Sequence, residues 1–280
     1  MKKLLPLLNS IVISSFAMSN NLTTIESGIS LYSEYYPNSS SKFKGTIIFE
    51  NGSGATTDEW TQNKKFFNCA KRVGSILLYD RNGLGNSPAD LSLSAEKPLT
   101  ASYASSKLIK FLKQREIKPP YIIVAHSYGS IYAGKFIADN ESQIKGVLLV
   151  DPVPKDFHFL ADGIMKDYES AIKYAASESA GAVYKRFGGA RSEVTYQLLG
   201  FKQSKEEIAK SDIIKNNIPV IVISSTSMEK DKPLKEDWYT SQKQWLNANH
   251  QSKIITVDSS HFIQLDQPQI VCEQLKLLIK

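Results

Sequence analysis

Six short runs in this chain are apolar along their length rather than on alternate residues. They are Gly45-Thr-Ile-Ile-Phe-Glu50, Ser75-Ile-Leu-Leu-Tyr-Asp80, Tyr121-Ile-Ile-Val-Ala125, Gly146-Val-Leu-Leu-Val-Asp-Pro152, Ile218-Pro-Val-Ile-Val-Ile-Ser224 and Lys253-Ile-Ile-Thr-Val257. Runs of this length, rich in β-branched residues, read as strands. A strand with no polar face must be covered on both sides, which a parallel sheet flanked by helices provides. Helical patterns fall between the runs. Thr57 opens one that extends to about Lys71. Thr100 to Gln114 carries Leu108, Ile109 and Leu112 on one face. Another covers Tyr128 to Asp139, and the last runs from Pro268 to Ile279 with Asp266 placed to cap it. Strand and helix in alternation predict an α/β fold with right-handed crossovers and a mostly parallel sheet.

One interval breaks the rhythm. Between Asp151 and Ile218 there is no strand pattern, and aromatics such as Phe157, Phe159, Tyr168, Tyr184 and Phe187 recur among helix formers. Residues 152–218 are expected to form a helical lid inserted into a core made of 20–151 and 219–280. A chain of 280 residues that is 42% hydrophobic can bury one sizeable core. The formal charge of +6 is scattered and interleaved with acids, not gathered with aromatics into a nucleic-acid face. Lys2 and Lys3 precede a short, interrupted apolar stretch that ends at Ala17-Met18-Ser19. Residues 1–19 therefore read as an export signal, which places the protein in the periplasm or outside the cell. No segment reads as a membrane span.

In a parallel sheet, functional loops gather beyond the carboxyl ends of the strands. Beyond the third run comes Ala125-His-Ser-Tyr-Gly129, a strand running into a helix through small residues. That is the setting of a nucleophile elbow, with Ala125 in place of the usual first glycine. Ser127 would stand above the sheet at a helix N-terminus. A serine needs a base, and the base needs an orienting acid. Of the four histidines, His126 reads as structural, His250 as surface and His158 as a lid residue within reach of substrate. His261 follows the last strand and reads as the base.

Five segments in order resemble the α/β-hydrolase superfamily. They are Asn51-Gly-Ser-Gly54, Tyr79-Asp-Arg-Asn-Gly-Leu-Gly-Asn-Ser87, the elbow, Val147-Leu-Leu-Val-Asp-Pro152 and Ser260-His-Phe-Ile-Gln-Leu-Asp-Gln-Pro268. The resemblance implies an oxyanion hole built from the N–H of Tyr128 and that of Ser53 or its neighbour. It makes Asp80, Gly83, Gly85 and Ser87 a structural loop. It leaves the acid open. The commoner family position falls at Met228, near Glu229 and Asp231, while the position after strand six falls at Asp151. Asp151 is the preferred reading, with Glu229 or Asp231 as the alternative. The resemblance also sets the first and last helices on one face of the sheet. Cys69 would lie roughly 18 Å down its helix and Cys272 roughly 7 Å down the last one, at about 1.5 Å per residue. A disulfide allows only about 7 Å between Cα atoms, so a bridge is not expected.

The expected activity is hydrolysis of carboxylic esters or similar acyl substrates by Ser127, His261 and the acid, with no cofactor or metal needed. Thioesterase, peptidase, carbon–carbon hydrolase and acyltransferase use the same groups and stay open as alternatives. So does a non-catalytic ligand-binding protein on this scaffold. The lid aromatics favour an apolar small-molecule substrate.

Overall fold

The computed structural model describes residues 21–24, 30–155, 159–209, 213–227 and 235–279. The expected export signal, His158, Glu229 and Asp231 lie outside the described residues. The described strands form one eight-stranded sheet. They are β1 (Asn21–Thr24), β2 (Ser30–Tyr36), β3 (Thr46–Glu50), β4 (Ser75–Tyr79), β5 (Tyr121–His126), β6 (Ile144–Val150), β7 (Val220–Ser225) and β8 (Lys253–Val257). Their order is β1-β2-β4-β3-β5-β6-β7-β8. From β4 to β8 all pairings are parallel, while β1 and β2 join antiparallel at the β4 edge.

Successive side chains leave opposite faces of a strand, so each apolar run feeds two cores. Ile48, Ile123 and Leu149 enter one, beneath α3 (Ala101–Gln114) and α4 (Gly129–Asp139). Ile47, Phe49, Val124 and Leu148 enter the other, beneath α2 (Lys64–Val73) and α12 (Pro268–Leu277). Each such side chain contributes about 1.5–3 kcal/mol on burial. Among the described residues, five α-helices lie between β6 and β7: α5 (Phe159–Asp167), α6 (Glu169–Ala175), α7 (Ala180–Phe187), α8 (Gly189–Leu199) and α9 (Phe201–Ile208). Of these, α9 packs on both α3 and α4. A further helix, α10 (Lys235–Gln242), follows β7.

Three expectations are corrected. The helix opened by Thr57 is two helices, because α1 (Asp58–Thr61) stops and Asn63 starts α2 afresh. The Asn63 carboxamide accepts from the N–H groups of Lys65 and Phe66, the usual action of an N-cap. That restart removes the depth difference between the cysteines. Cys69 and Cys272 both lie in the second turn of their own helices, with Cα atoms 6.1 Å apart, and they form a disulfide. The bridge closes a 203-residue loop, a constraint on the unfolded chain typically worth about 2–5 kcal/mol. Asp266 does not cap α12. It ends the short turn α11 (Ile263–Asp266), and its carboxylate accepts from the N–H of Ser260 at 2.9 Å.

Candidate active site

Only Ser127 and Tyr128 separate β5 from α4. To turn so sharply, Ser127 adopts φ 50°, a left-handed conformation that costs a side-chain-bearing residue about 1–3 kcal/mol. The surroundings hold it there. Its N–H donates to the carbonyl of Val150 at 3.2 Å, and its carbonyl accepts from the N–H of Ser130 at 3.1 Å and of Val153 at 3.1 Å. Gly129 lets the end of β3 approach. A Cβ there would lie 2.5 Å from the carbonyl oxygen of Asn51 and 2.8 Å from that of Glu50.

Asp151 follows β6 in a second left-handed position, φ 41°. Its N–H donates to the carbonyl of Ile223 at 2.7 Å. The residue is fully buried, and its carboxylate is saturated with donors. Oδ1 accepts from the Ser225 N–H (3.1 Å), the Trp238 indole (3.1 Å) and the Gln242 amide (2.9 Å). Oδ2 accepts from the Ser225 hydroxyl at 2.6 Å and meets His261 Nδ1 at 2.6 Å. Burial alone would push this carboxyl up. The hydrogen bond and charge of His261, with the Ser225 and Gln242 donors, outweigh it and hold the group below the usual carboxylate range. Trp238 and Gln242 are four residues apart and so share one face of α10.

His261 lies in the loop after β8, its side chain about a quarter exposed, at 27%. A carboxylate against Nδ1 fixes the proton there and leaves Nε2 as an acceptor. His261 Nε2 makes no hydrogen bond to a described group, and neither does Ser127 Oγ; the two are not bonded to each other in this structure. Their loops are nonetheless adjacent. The ring of His126, which precedes the serine, lies 4.6 Å from the His261 ring, centre to centre. Of the other histidines, His250 is exposed.

The loop after β3 is fixed from three sides. Asn51 accepts from the Trp60 indole at 2.8 Å and donates to the Tyr79 carbonyl at 3.0 Å. Arg81, buried, donates to Glu50, to the carbonyl of Asn51 (2.7 Å) and to that of Gly52 (2.6 Å), and it also pairs with Glu193 of α8. From α8, Glu193 accepts the Gly54 N–H at 2.8 Å, and Gln197 accepts the Ser53 hydroxyl at 2.9 Å. The Gly52 N–H is spent on Glu59 at 2.9 Å. The N–H groups of Ser53 and Tyr128 donate to no described group.

Asp80 braces the neighbouring loop by accepting from the N–H groups of Thr57 (2.8 Å) and Asn86 (3.1 Å). The hydroxyl of Ser87 donates to the Asp80 carbonyl at 2.6 Å. Gly83 and Gly85 have φ 82° and 49°.

A sequence model of the Alpha/beta hydrolase family matches residues 47–274. The chain belongs to the alpha/beta hydrolase family. This alpha/beta hydrolase is 27% identical over 230 residues to the uncharacterized protein YqjL of Bacillus subtilis (strain 168), a match that covers 81% of this chain and 80% of that protein. Its fold is similar to that of the enol-lactonase from Burkholderia xenovorans LB400, with TM-score 0.66, 14% identity and coverage of 92% and 99% of the two chains. It is equally similar to a malate-bound thermophilic esterase from Thermogutta terrifontis, with TM-score 0.66, 14% identity and coverage of 92% and 98%.

Several residues of the site carried no sequence signal. Arg81, Glu193 and Gln197 are polar groups buried by a contact between distant segments, and no local period marks them. Trp238 and Gln242 share a helical spacing, but nothing in it names Asp151 as their target. Among the described residues, no group of three or more His, Cys, Asp or Glu is placed to hold a metal ion. No described helix is long and apolar enough to cross a membrane.

Proposed function

We propose that this alpha/beta hydrolase cleaves carboxylic esters or related acyl substrates through an acyl-enzyme on Ser127. The observation that carries this reading is the 2.6 Å contact between His261 Nδ1 and a buried Asp151, with Nε2 left unspent beside the elbow. Ser127 Oγ attacks the carbonyl carbon as its proton passes to His261 Nε2. The carbonyl oxygen takes negative charge and is met by the Ser53 and Tyr128 N–H groups. When the tetrahedral intermediate collapses, the leaving alkoxide takes the proton from Nε2. Water then repeats the sequence on the acyl-enzyme and releases the acid. The serine–imidazole hydrogen bond forms when substrate is seated, since such bonds are often long in unliganded sites.

The likeness in fold to a lactonase and an esterase supports an ester substrate. Phe262, 44% exposed beside His261, supports an apolar one. The inserted helices act as a lid, with α8 fixed to the oxyanion loop through Glu193 and Gln197. Thioesters, amides and acyl transfer to an alcohol fit the same groups. The unmade Ser127–His261 bond favours a second reading, a ligand-binding protein on this scaffold. A panel of chromogenic esters of graded acyl length tests the choice. Metal-free turnover with a clear optimum in chain length is expected. Folded protein inert to the whole panel would favour the binding reading.

A further inference from the structure

Glu59 is a buried acid in α1 with no part in the steps above. Its two oxygens touch three separate segments: the loop after β3, the end of β5 and α11. Oε2 accepts the N–H of Gly52 in the oxyanion loop at 2.9 Å. Oε1 accepts from the Gln264 amide at 3.0 Å, three residues beyond His261. Oε1 also forms an ion pair with Nδ1 of His126, the residue before Ser127. His126 in turn sends Nε2 to the backbone carbonyl of His261 at 2.9 Å. A ring that meets a carboxylate at one nitrogen and a carbonyl at the other carries both protons.

The space around this pair is filled. The Trp60 and Phe262 rings lie 6.4 and 5.3 Å from His126, centre to centre. A Cβ on Gly52 would lie 3.0 Å from His126 Nδ1 and 3.4 Å from the Ser127 Cβ. Oxyanion loop, elbow and base loop therefore meet at one carboxylate–imidazolium pair.

We propose that Glu59 and His126 form a clasp that sets the spacing between the oxyanion donors, Ser127 and His261, so that both are positioning residues for the reaction. This rests on the reading of Ser127 as nucleophile and His261 as base.

The charges around the pair fit that role. His126 faces Glu59 from α1 and the His261 ring from the base loop, and it also feels the charge of Asp151, while Arg81 acts on Glu59. Burial pulls the His126 pKa down, but the Glu59 carboxylate outweighs it and leaves the group above its ordinary value. Burial pushes Glu59 up, but the charge and hydrogen bond of His126 and the Gly52 N–H outweigh it and leave the group low. The His126 contribution to stability is complete below its unfolded value of about 6.5 and is lost as pH rises through the higher folded value. The Glu59 contribution is complete above its unfolded value of about 4.3 and is lost as pH falls through the lower folded value. The clasp holds between those limits.

The test is a double-mutant cycle on ester hydrolysis with Glu59→Gln, His126→Asn and the pair together. Each single variant is expected to lower kcat about 10- to 100-fold with KM within about threefold, the effect of small misplacement at a reacting centre. The double variant should be no worse than the weaker single within about threefold, because the two act as one unit. Additive losses, or singles that keep kcat within about twofold, would overturn the clasp. Histidine-labelled nitrogen NMR of the wild type gives a readout that needs no variant to fold. Both His126 ring nitrogens should still be mostly protonated at about pH 6.5, the ordinary midpoint of an imidazole, and a ring already neutral there would overturn the proposal. Wild-type protein with no turnover would count against the acyl-enzyme reading, and the clasp would then be judged on the His126 protonation alone.

Discussion

Ser127→Ala is expected to lower kcat for any ester the protein turns over by about 10⁴-fold or more. The loss follows from chemistry, since alanine offers no oxygen to attack the carbonyl carbon. Folding should survive. Alanine is smaller than serine, and the backbone contacts that hold φ at 50° come from main-chain groups of Val150, Ser130 and Val153. The comparison is made on purified variant and wild type with matching circular dichroism. A variant within about tenfold of wild type would mean that the nucleophile lies elsewhere.

Asp151→Asn carries the second large effect, a loss of about 10³–10⁴ in kcat. The carboxylate accepts from His261 Nδ1 and from Ser225, Trp238 and Gln242. An asparagine can accept through only one of its two heteroatoms. Its NH₂ would face a donor, and wherever it faces Nδ1 it demands the wrong imidazole tautomer. The buried donors left unpaired should also lower stability by about 1–3 kcal/mol each. Steady-state kinetics and urea unfolding read the two effects separately. If Asp151→Asn turns over within a few-fold of wild type while Glu229→Gln or Asp231→Asn is inactive, the acid has been assigned to the wrong strand.

The central sheet was legible because burial on both faces leaves a plain mark: β3 to β7 are apolar along their length and almost wholly buried, whereas β8 is apolar too but lies at the sheet edge with only Val257 buried. The antiparallel strands β1 and β2 leave no such mark. In β2 only Leu31 and Ser33 are buried, and the rest of Ser30–Tyr36 is half-exposed and aromatic or polar. The disulfide was misread through one local error. Continuing a helix across Gln62-Asn63 placed Cys69 about a helix too deep, although asparagine before Lys-Lys-Phe-Phe is a start signal in its own right. For the acid, spacing along the chain left three carboxylates open. The structure sets Asp151 against His261, a contact between residues 110 apart in sequence. The network of Arg81, Glu193 and Glu59 was invisible for the same reason. A buried charge is made tolerable by partners from other segments, and those partners are known only once the chain has folded.

The most direct measurement exposes the folded protein to a fluorophosphonate probe and locates the adduct by peptide mass spectrometry. One adduct per chain, on Ser127 and absent from Ser127→Ala, is the predicted result. Complete protection of Ser127, in protein shown to be folded and free of blocking ligand, would contradict the account.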